Sequence, residues 1–346
     1  MFAALILVSA AAAMLAAALI VAMMPLLRRY ALARPNARSS HVEPTPQGAG
    51  LAVMLAAAFA ALAGLLFVPS DAGALHEAGI VIAASLVLAA TGALDDLKPL
   101  GPLTKLLPQI LAVGLVVLYA APSEARLAPV LPLAVERGLA ILAGVWFVNL
   151  VNFMDGIDWI TVIGCGVPLA ALAGLGFWLA APGQGAACEL LLVALCGALI
   201  GFAPFNKPVA RVFLGDVGSL PVGLILGYGL YRLALAGHLA AALILPLYYL
   251  WDSGLTLMWR LARREAFWLA HRSHVYQRAG DSGWSVPAVL THILILDLAL
   301  AALAALSVAF DSQALSAVLL AAGALLVGLT CRRLTAGPVA APEPQA

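Results

Sequence analysis

Apolar runs alternate with short polar breaks along the whole chain. They fall at roughly 2–27, 49–68, 78–94, 106–121, 138–152, 160–181, 190–205, 217–231, 238–258, 286–309 and 313–331, near the ~20 residues a helix needs to cross a bilayer. These eleven runs predict an all-α, polytopic membrane protein, because an open strand in lipid would leave its backbone amides unpaired. Residues 1–334 are expected to form one transmembrane unit. The stretch 335–346, rich in Ala and Pro, reads as a disordered tail.

Composition agrees with the pattern. A mean hydropathy of +1.04 with 10% charged residues excludes an ordinary soluble domain, in which about a quarter of residues are charged. No basic residue precedes the first run, and Arg28 and Arg29 follow it. It therefore reads as a retained span with its N-terminus outside and the C-terminus in the cytoplasm. Of the 18 Lys and Arg, only Arg126, Arg137 and Arg232 then fall outside, as the positive-inside rule requires. The run at 138–152 is the weakest, and without it Asp155 and Asp95 would lie on opposite faces. A net charge of +1 gives no ground for a nucleic-acid partner, and none is expected. The four cysteines lack CxxC spacing and read as small packing residues.

Five of the 17 acidic residues sit where apolar runs end. They occur in ALDDLKPLG (Asp95, Asp96), NFMDGIDWI (Asp155, Asp158) and FLGDVGSLP (Asp216). A carboxylate at the hydrocarbon boundary loses hydration unless a cation or proton compensates, so the clusters point to a metal-dependent or proton-coupled site. Neighbouring Asp95 and Asp96 repel each other unless a cation intervenes. Lys105 could meet a phosphate or reach the interface.

Asn149, Asn152 and Asp155, spaced by three, can share a helix face and supply oxygens for a hard cation or a nucleotide. Asp158 reads as structural. Gly215 and Gly218 around Asp216 would let backbone approach a phosphate, while Asp216 could instead cap the following helix. In AHRSHVYQRAG, His271, Arg272 and His274 suit an anionic diphosphate. The loop RPNARSSHVEPTPQGAG, with His41, reads as substrate-touching.

In order, RSSHxxPTPxGxG, DD, NxxNxxDGID, FLGDxGS and HRSHxYQR resemble the polyprenyl-phosphate N-acetylhexosamine-1-phosphate transferase superfamily, glycosyltransferase family 4. The resemblance runs from Arg38 to Arg278. The HRSHVYQR form is most similar to members that start O-antigen or capsule-type chains, and differs from the peptidoglycan branch, which has a three-histidine run there.

The resemblance implies transfer of a sugar-1-phosphate from a UDP-sugar to undecaprenyl phosphate in the bacterial inner membrane, with the site facing the cytoplasm and Mg²⁺ or Mn²⁺ as cofactor. Asp95, Asp96, Asp155 and Asp216 match the family's catalytic aspartates. Asp216, assisted by Asp96 or Asp155, is expected to hold the metal, and Asp95 to steer the proton of the lipid phosphate. Asn149, Asn152, His41, Lys105, Gly218, His271, Arg272 and His274 are the expected substrate contacts.

Three residues depart from the common pattern. Trp159 replaces a frequent Gly, while Gln47 and Ala49 stand where Arg and Gly are common; the first is expected to reshape the nucleotide pocket and the others to loosen a phosphate contact. The Ala- and Leu-rich helix surfaces are compatible with a homodimer. The rival class is a cation- or proton-coupled transporter, which would place its carboxylates near mid-membrane on an inverted repeat.

Overall fold

The computed structural model describes residues 2–33, 43–68, 71–121, 124–179, 186–265 and 272–338. Helix α1 (Phe2–Tyr30) leads into a small antiparallel ladder of β1 (Leu32–Ala33) and β2 (Thr45–Pro46). There follow α2 (Gly50–Gly64), α3 (Ala72–Leu97), α4 (Pro102–Leu115) with a π-helical turn Val116–Ala120, α5 (Leu133–Met154), α6 (Ile160–Leu179) and α7 (Ala187–Asn206). The chain continues with α8 (Asp216–Leu235), α9 (Leu239–Ile244), α10 (Leu247–Ala262), α11 (Val275–Asp281), α12 (Val286–Phe310) and α13 (Gln313–Ala336).

Among the described residues, nine helices are long and apolar enough to span a membrane. The count falls below the eleven expected for two reasons. The run at 49–68 yields only the 15-residue α2. The run at 238–258 breaks at Pro246 into α9 and α10, since proline has no amide to donate and collides with the preceding turn. The doubtful run at 138–152 lies within a 22-residue helix, α5. Its first turn escaped the apolar pattern because it carries Glu136 and Arg137. Glu136 accepts hydrogen bonds from Arg126 Nε at 2.8 Å and from the Leu127 amide at 2.7 Å, and Arg137 donates to Tyr231 Oη.

Helix α8 is the hub, packed against α2, α3, α5, α6 and α9. Its apolar composition on all sides suits burial among other helices. The three arginines expected on the outer face all lie at the end away from Asp216, where Arg232 bridges Glu77 (2.9 Å) and Glu189 (2.8 Å) and so ties α8 to α3 and α7. Helix α13 runs to Ala336, past the expected start of the tail; residues 339–346 lie outside the described residues. All four cysteines are free and buried.

Candidate active site

At the other end of α8, three chain segments converge. The amides of Gly48 and Ala49 donate to Phe213 O and that of Gly50 to Leu214 O, so the PTPQGAG segment clasps the strand-like approach to Asp216. Gln47 Nε2 adds a bond of 2.8 Å to Asp96 O. The departure from Arg at position 47 therefore serves as a brace between this loop and α3. Ala49 is wholly buried.

Asp96 caps α8 from a distance. Its Oδ1 accepts the Asp216 amide at 3.0 Å and its Oδ2 the Val217 amide at 3.1 Å, satisfying two of the otherwise unpaired donors of a helix start. The N-cap position is Gly215, which has no side chain to cap with, and Asp216, the next residue, is bonded through its carboxylate to side chains of other segments. Its Oδ1 accepts from Asn152 Nδ2 and its Oδ2 from Lys105 Nζ, each at 2.8 Å. Lys105 Nζ also donates to Asp95 Oδ2 at 2.8 Å, and Asp95 Oδ1 accepts the Leu100 amide at 2.7 Å.

The glycines of FLGDVGS sit in close packing contacts. A Cβ on Gly218 would stand 2.7 Å from Gly50 Cα, and one on Gly215, which has φ +76°, would stand 2.5 Å from Asp96 Oδ2. Gly92 is as tight, with a Cβ position 2.2 Å from the Asp216 carbonyl. Gly92 carries no sequence signal and Gly50 appears in the sequence only as part of the PTPQGAG loop, because the packing need for both arises only when α2, α3 and α8 meet.

The second motif divides. Asn152 joins the cluster and also bonds Ser219 Oγ at 2.8 Å. Asn149 instead pairs its amide with Gln109 on α4, at 2.6 and 3.3 Å. Asp155, at the end of α5, accepts from Thr161 Oγ1. Burial pushes its carboxyl up to about 6, with Asp216 and Asp158 adding repulsion and the Thr161 bond opposing. Asp158 is buried and accepts the Ala210 amide at 3.0 Å, a structural brace.

Trp159 takes φ +64°, a conformation in which glycine is at ease. Two bonds to the end of α7 hold it there: its amide to Asn206 Oδ1 (2.8 Å) and its indole to Ala203 O (2.6 Å).

The basic loop docks beside this turn. Tyr276 Oη donates to Phe153 O at 3.2 Å, and a Cβ on Gly156 would stand 2.1 Å from that hydroxyl. His274 is buried, and Arg272 Nη2 lies 3.3 Å from Asp281. His41 and His271 lie outside the described residues. Asp252, absent from the sequence reading, lies 3.3 Å from His274; its position in an apolar run was the available signal.

Among the described residues, no group of three acidic, histidine or cysteine side chains forms a ready-made metal cluster. The oxygens of Asp95 and Asp216 nevertheless suit Mg²⁺, which commonly takes one or two carboxylates and completes its shell with phosphate and water. Lys105 holds these two carboxylates together, so Lys105→Gln should leave them repelling each other. The expected result is a loss of at least tenfold in turnover with little change in melting temperature, because the bridge is partly exposed; parallel activity and thermal-melt measurements check it.

Residues 78–234 match the family Glycosyl transferase family 4. The chain carries a glycosyl transferase family 4 domain. The family segment contains Asp95, Asp96, Lys105, Asn152, Asp155 and Asp216, and ends before the basic loop. The chain is 32% identical over 216 residues to the decaprenyl-phosphate N-acetylglucosaminephosphotransferase of Mycolicibacterium smegmatis, covering 58% of this chain and 53% of that protein. It is 25% identical over 279 residues to a probable undecaprenyl-phosphate N-acetylglucosaminyl 1-phosphate transferase of Bacillus subtilis, covering 75% and 74%. A Chlamydia trachomatis phospho-N-acetylmuramoyl-pentapeptide-transferase is 41% identical over 93 residues, 26% of each chain. The chain thus spans about half the length of the mycobacterial relative.

Proposed function

We propose that this family 4 protein transfers an N-acetylhexosamine-1-phosphate from a UDP-sugar to undecaprenyl phosphate, giving a lipid diphosphate sugar and UMP. The observation that supports this most is the convergence of Asp95, Asp96, Asp216, Lys105 and Asn152 at one end of the helix bundle. An apolar cavity of about 230 Å³ lies between α4, α5, α8 and α9–α10, reaching from Val148 and Gly223 on the side of the site to Leu127, Tyr231 and Leu239 at the opposite end of α8. Its walls include Val113, Gly144, Phe147, Val148, Gly223 and Gly227, and Val148 and Gly223 lie about one helical turn from Asn152 and Ser219. Such a space suits the first units of a prenyl chain, with the remainder in lipid.

Both substrates are anions. Two unit charges about 4 Å apart repel by on the order of 4 kcal/mol at an effective dielectric of ~20, so a cationic site is needed to bring the phosphates together. In this reading Asp216 and Asp95 hold Mg²⁺, or Mn²⁺, which when bound neutralises the diphosphate and the charge developing at phosphorus. Asp96, with both oxygens engaged by amides, fixes the position of Asp216. Asp95 steers the proton of the lipid phosphate, whose oxygen forms the new bond to the sugar-bearing phosphorus as the bond to UMP breaks. Asn152 and Lys105 orient the carboxylates, and the loop around Arg272 and His274 receives the sugar diphosphate.

The distribution of Lys and Arg supports placing this end in the cytoplasm of a bacterium. The HRSHVYQR form favours a role in starting an O-antigen or capsule-type chain.

The test is UMP release by purified protein with undecaprenyl phosphate and a panel of donors. UDP-GlcNAc, UDP-N-acetylfucosamine, UDP-N-acetylquinovosamine and UDP-MurNAc-pentapeptide would be compared with Mg²⁺ and with chelator. Mg²⁺-dependent release from an N-acetylhexosamine donor is expected. Solute uptake into proteoliposomes, with no UMP from any donor, would replace this reading with the transporter.

A further inference from the structure

Helix α10 contributes a carboxylate that none of the catalytic motifs contains. Asp252 is fully enclosed, with its side chain 0% exposed, in a helix otherwise dominated by aromatic and aliphatic residues. A carboxylate in such a place must be hydrogen-bonded throughout. Asp252 Oδ1 accepts the Val275 amide at 2.9 Å and Thr256 Oγ1 at 3.4 Å, and Oδ2 accepts Tyr248 Oη at 3.2 Å. The same Oδ1 lies 3.3 Å from His274 Nδ1. The amide bond is of ordinary length and the two hydroxyl contacts are long; the fourth contact reaches the imidazole of the basic loop.

An ionised carboxylate oxygen can only accept, so in this contact the imidazole is the donor, with a proton on Nδ1. The ring is also stacked on Tyr276, with centroids 5.8 Å apart and planes at 10°. Tyr276 in turn reaches Phe153 O beside Asp155. One buried carboxylate therefore holds both the imidazole and the first amide of α11, the helix that rests on the DGID turn.

We propose that Asp252 is a positioning residue for the sugar-diphosphate loop, setting the tautomer and orientation of His274 and anchoring α11 against the Asp155 turn. This rests on the reading of that loop as a substrate contact. Asp252 is placed to act through His274, without itself touching substrate.

Two measurements separate the possibilities. The first is the ¹⁵N–¹H spectrum of histidine-labelled protein, with His274 assigned by its loss in His274→Gln. Nδ1 protonation is expected in the wild type and a change of tautomer in Asp252→Asn, because Asn can present an N–H to Nδ1; a His274 signal identical in both would overturn the proposal. The second is a double-mutant cycle on the UDP-sugar KM. Asp252→Asn should raise KM roughly tenfold or more, by analogy with the loss of a carboxylate behind a metal-ligating imidazole, with a smaller change in kcat. The same substitution in a His274→Gln background should add nothing, and effects that multiply independently would refute action through His274.

Should Asp252→Asn be too unstable to purify, Asp252→Glu keeps the charge and displaces it. A raised KM supports the proposal there, and a wild-type KM opposes it. Failure of the wild type to release UMP from any donor would sink the transferase reading alone, since the spectrum still decides whether Asp252 sets the His274 tautomer.

Discussion

Asp216→Asn is expected to abolish UMP release while the protein remains folded. The side chain of Asp216 is held between Asn152 and Lys105, while the first amides of α8 are capped by Asp96, so neutralising Asp216 leaves the start of α8 intact. Asn keeps the shape and can still accept one bond, but it supplies no charge to a cation. Loss of metal-assisted charge stabilisation is worth several kcal/mol, on the order of a thousandfold or more in rate. UMP release and a thermal melt on the same preparation check it. Turnover near that of the wild type would remove Asp216 from the proposed metal site.

The second large effect concerns a residue with no chemistry of its own. Gly92→Ala should cost both stability and activity, because its new Cβ would stand 2.2 Å from the carbonyl carbon and oxygen of Asp216. Backbone cannot swing aside as a flexible side chain can, so α3 or the start of α8 must shift. Overpacking of this kind typically costs about 1–3 kcal/mol, sometimes more. The shift also falls on Asp96, four residues along α3, whose oxygens hold the Asp216 and Val217 amides. Gly79 provides the control: it lies on the same helix with nothing within 4 Å of its Cβ position. Gly79→Ala should leave melting temperature and turnover near wild type. Equal behaviour of the two variants would show that the close approach at Gly92 does not matter.

The difference between Asp95 and Asp96 shows how far sequence reading reaches. Adjacent in the chain, the two are indistinguishable by type, spacing or charge. Their roles separate only because α8 begins beside one of them, drawing both oxygens of Asp96 onto amides while Asp95 turns to Lys105. The same holds for Asn149 and Asn152, which share a helical spacing. One meets Gln109 of α4 and the other meets Asp216, according to which neighbouring helix each turn faces.

By itself the sequence determined the class of the protein and offered the candidates for its site. Apolar run length requires helices, since lipid offers no partner for unpaired amides, and carboxylates at run ends mark the place where such charges must be compensated. Those are local properties, legible one segment at a time. Tertiary structure decided the division of labour: Asp96 as a cap supplied from another helix, Lys105 as the bridge between two carboxylates, Gly50 and Gly92 as points of helix contact, and Asp252 behind His274. Each depends on which helices become neighbours, and residues as far apart in the chain as Asp96 and Asp216 become partners only when packing brings α3 and α8 together.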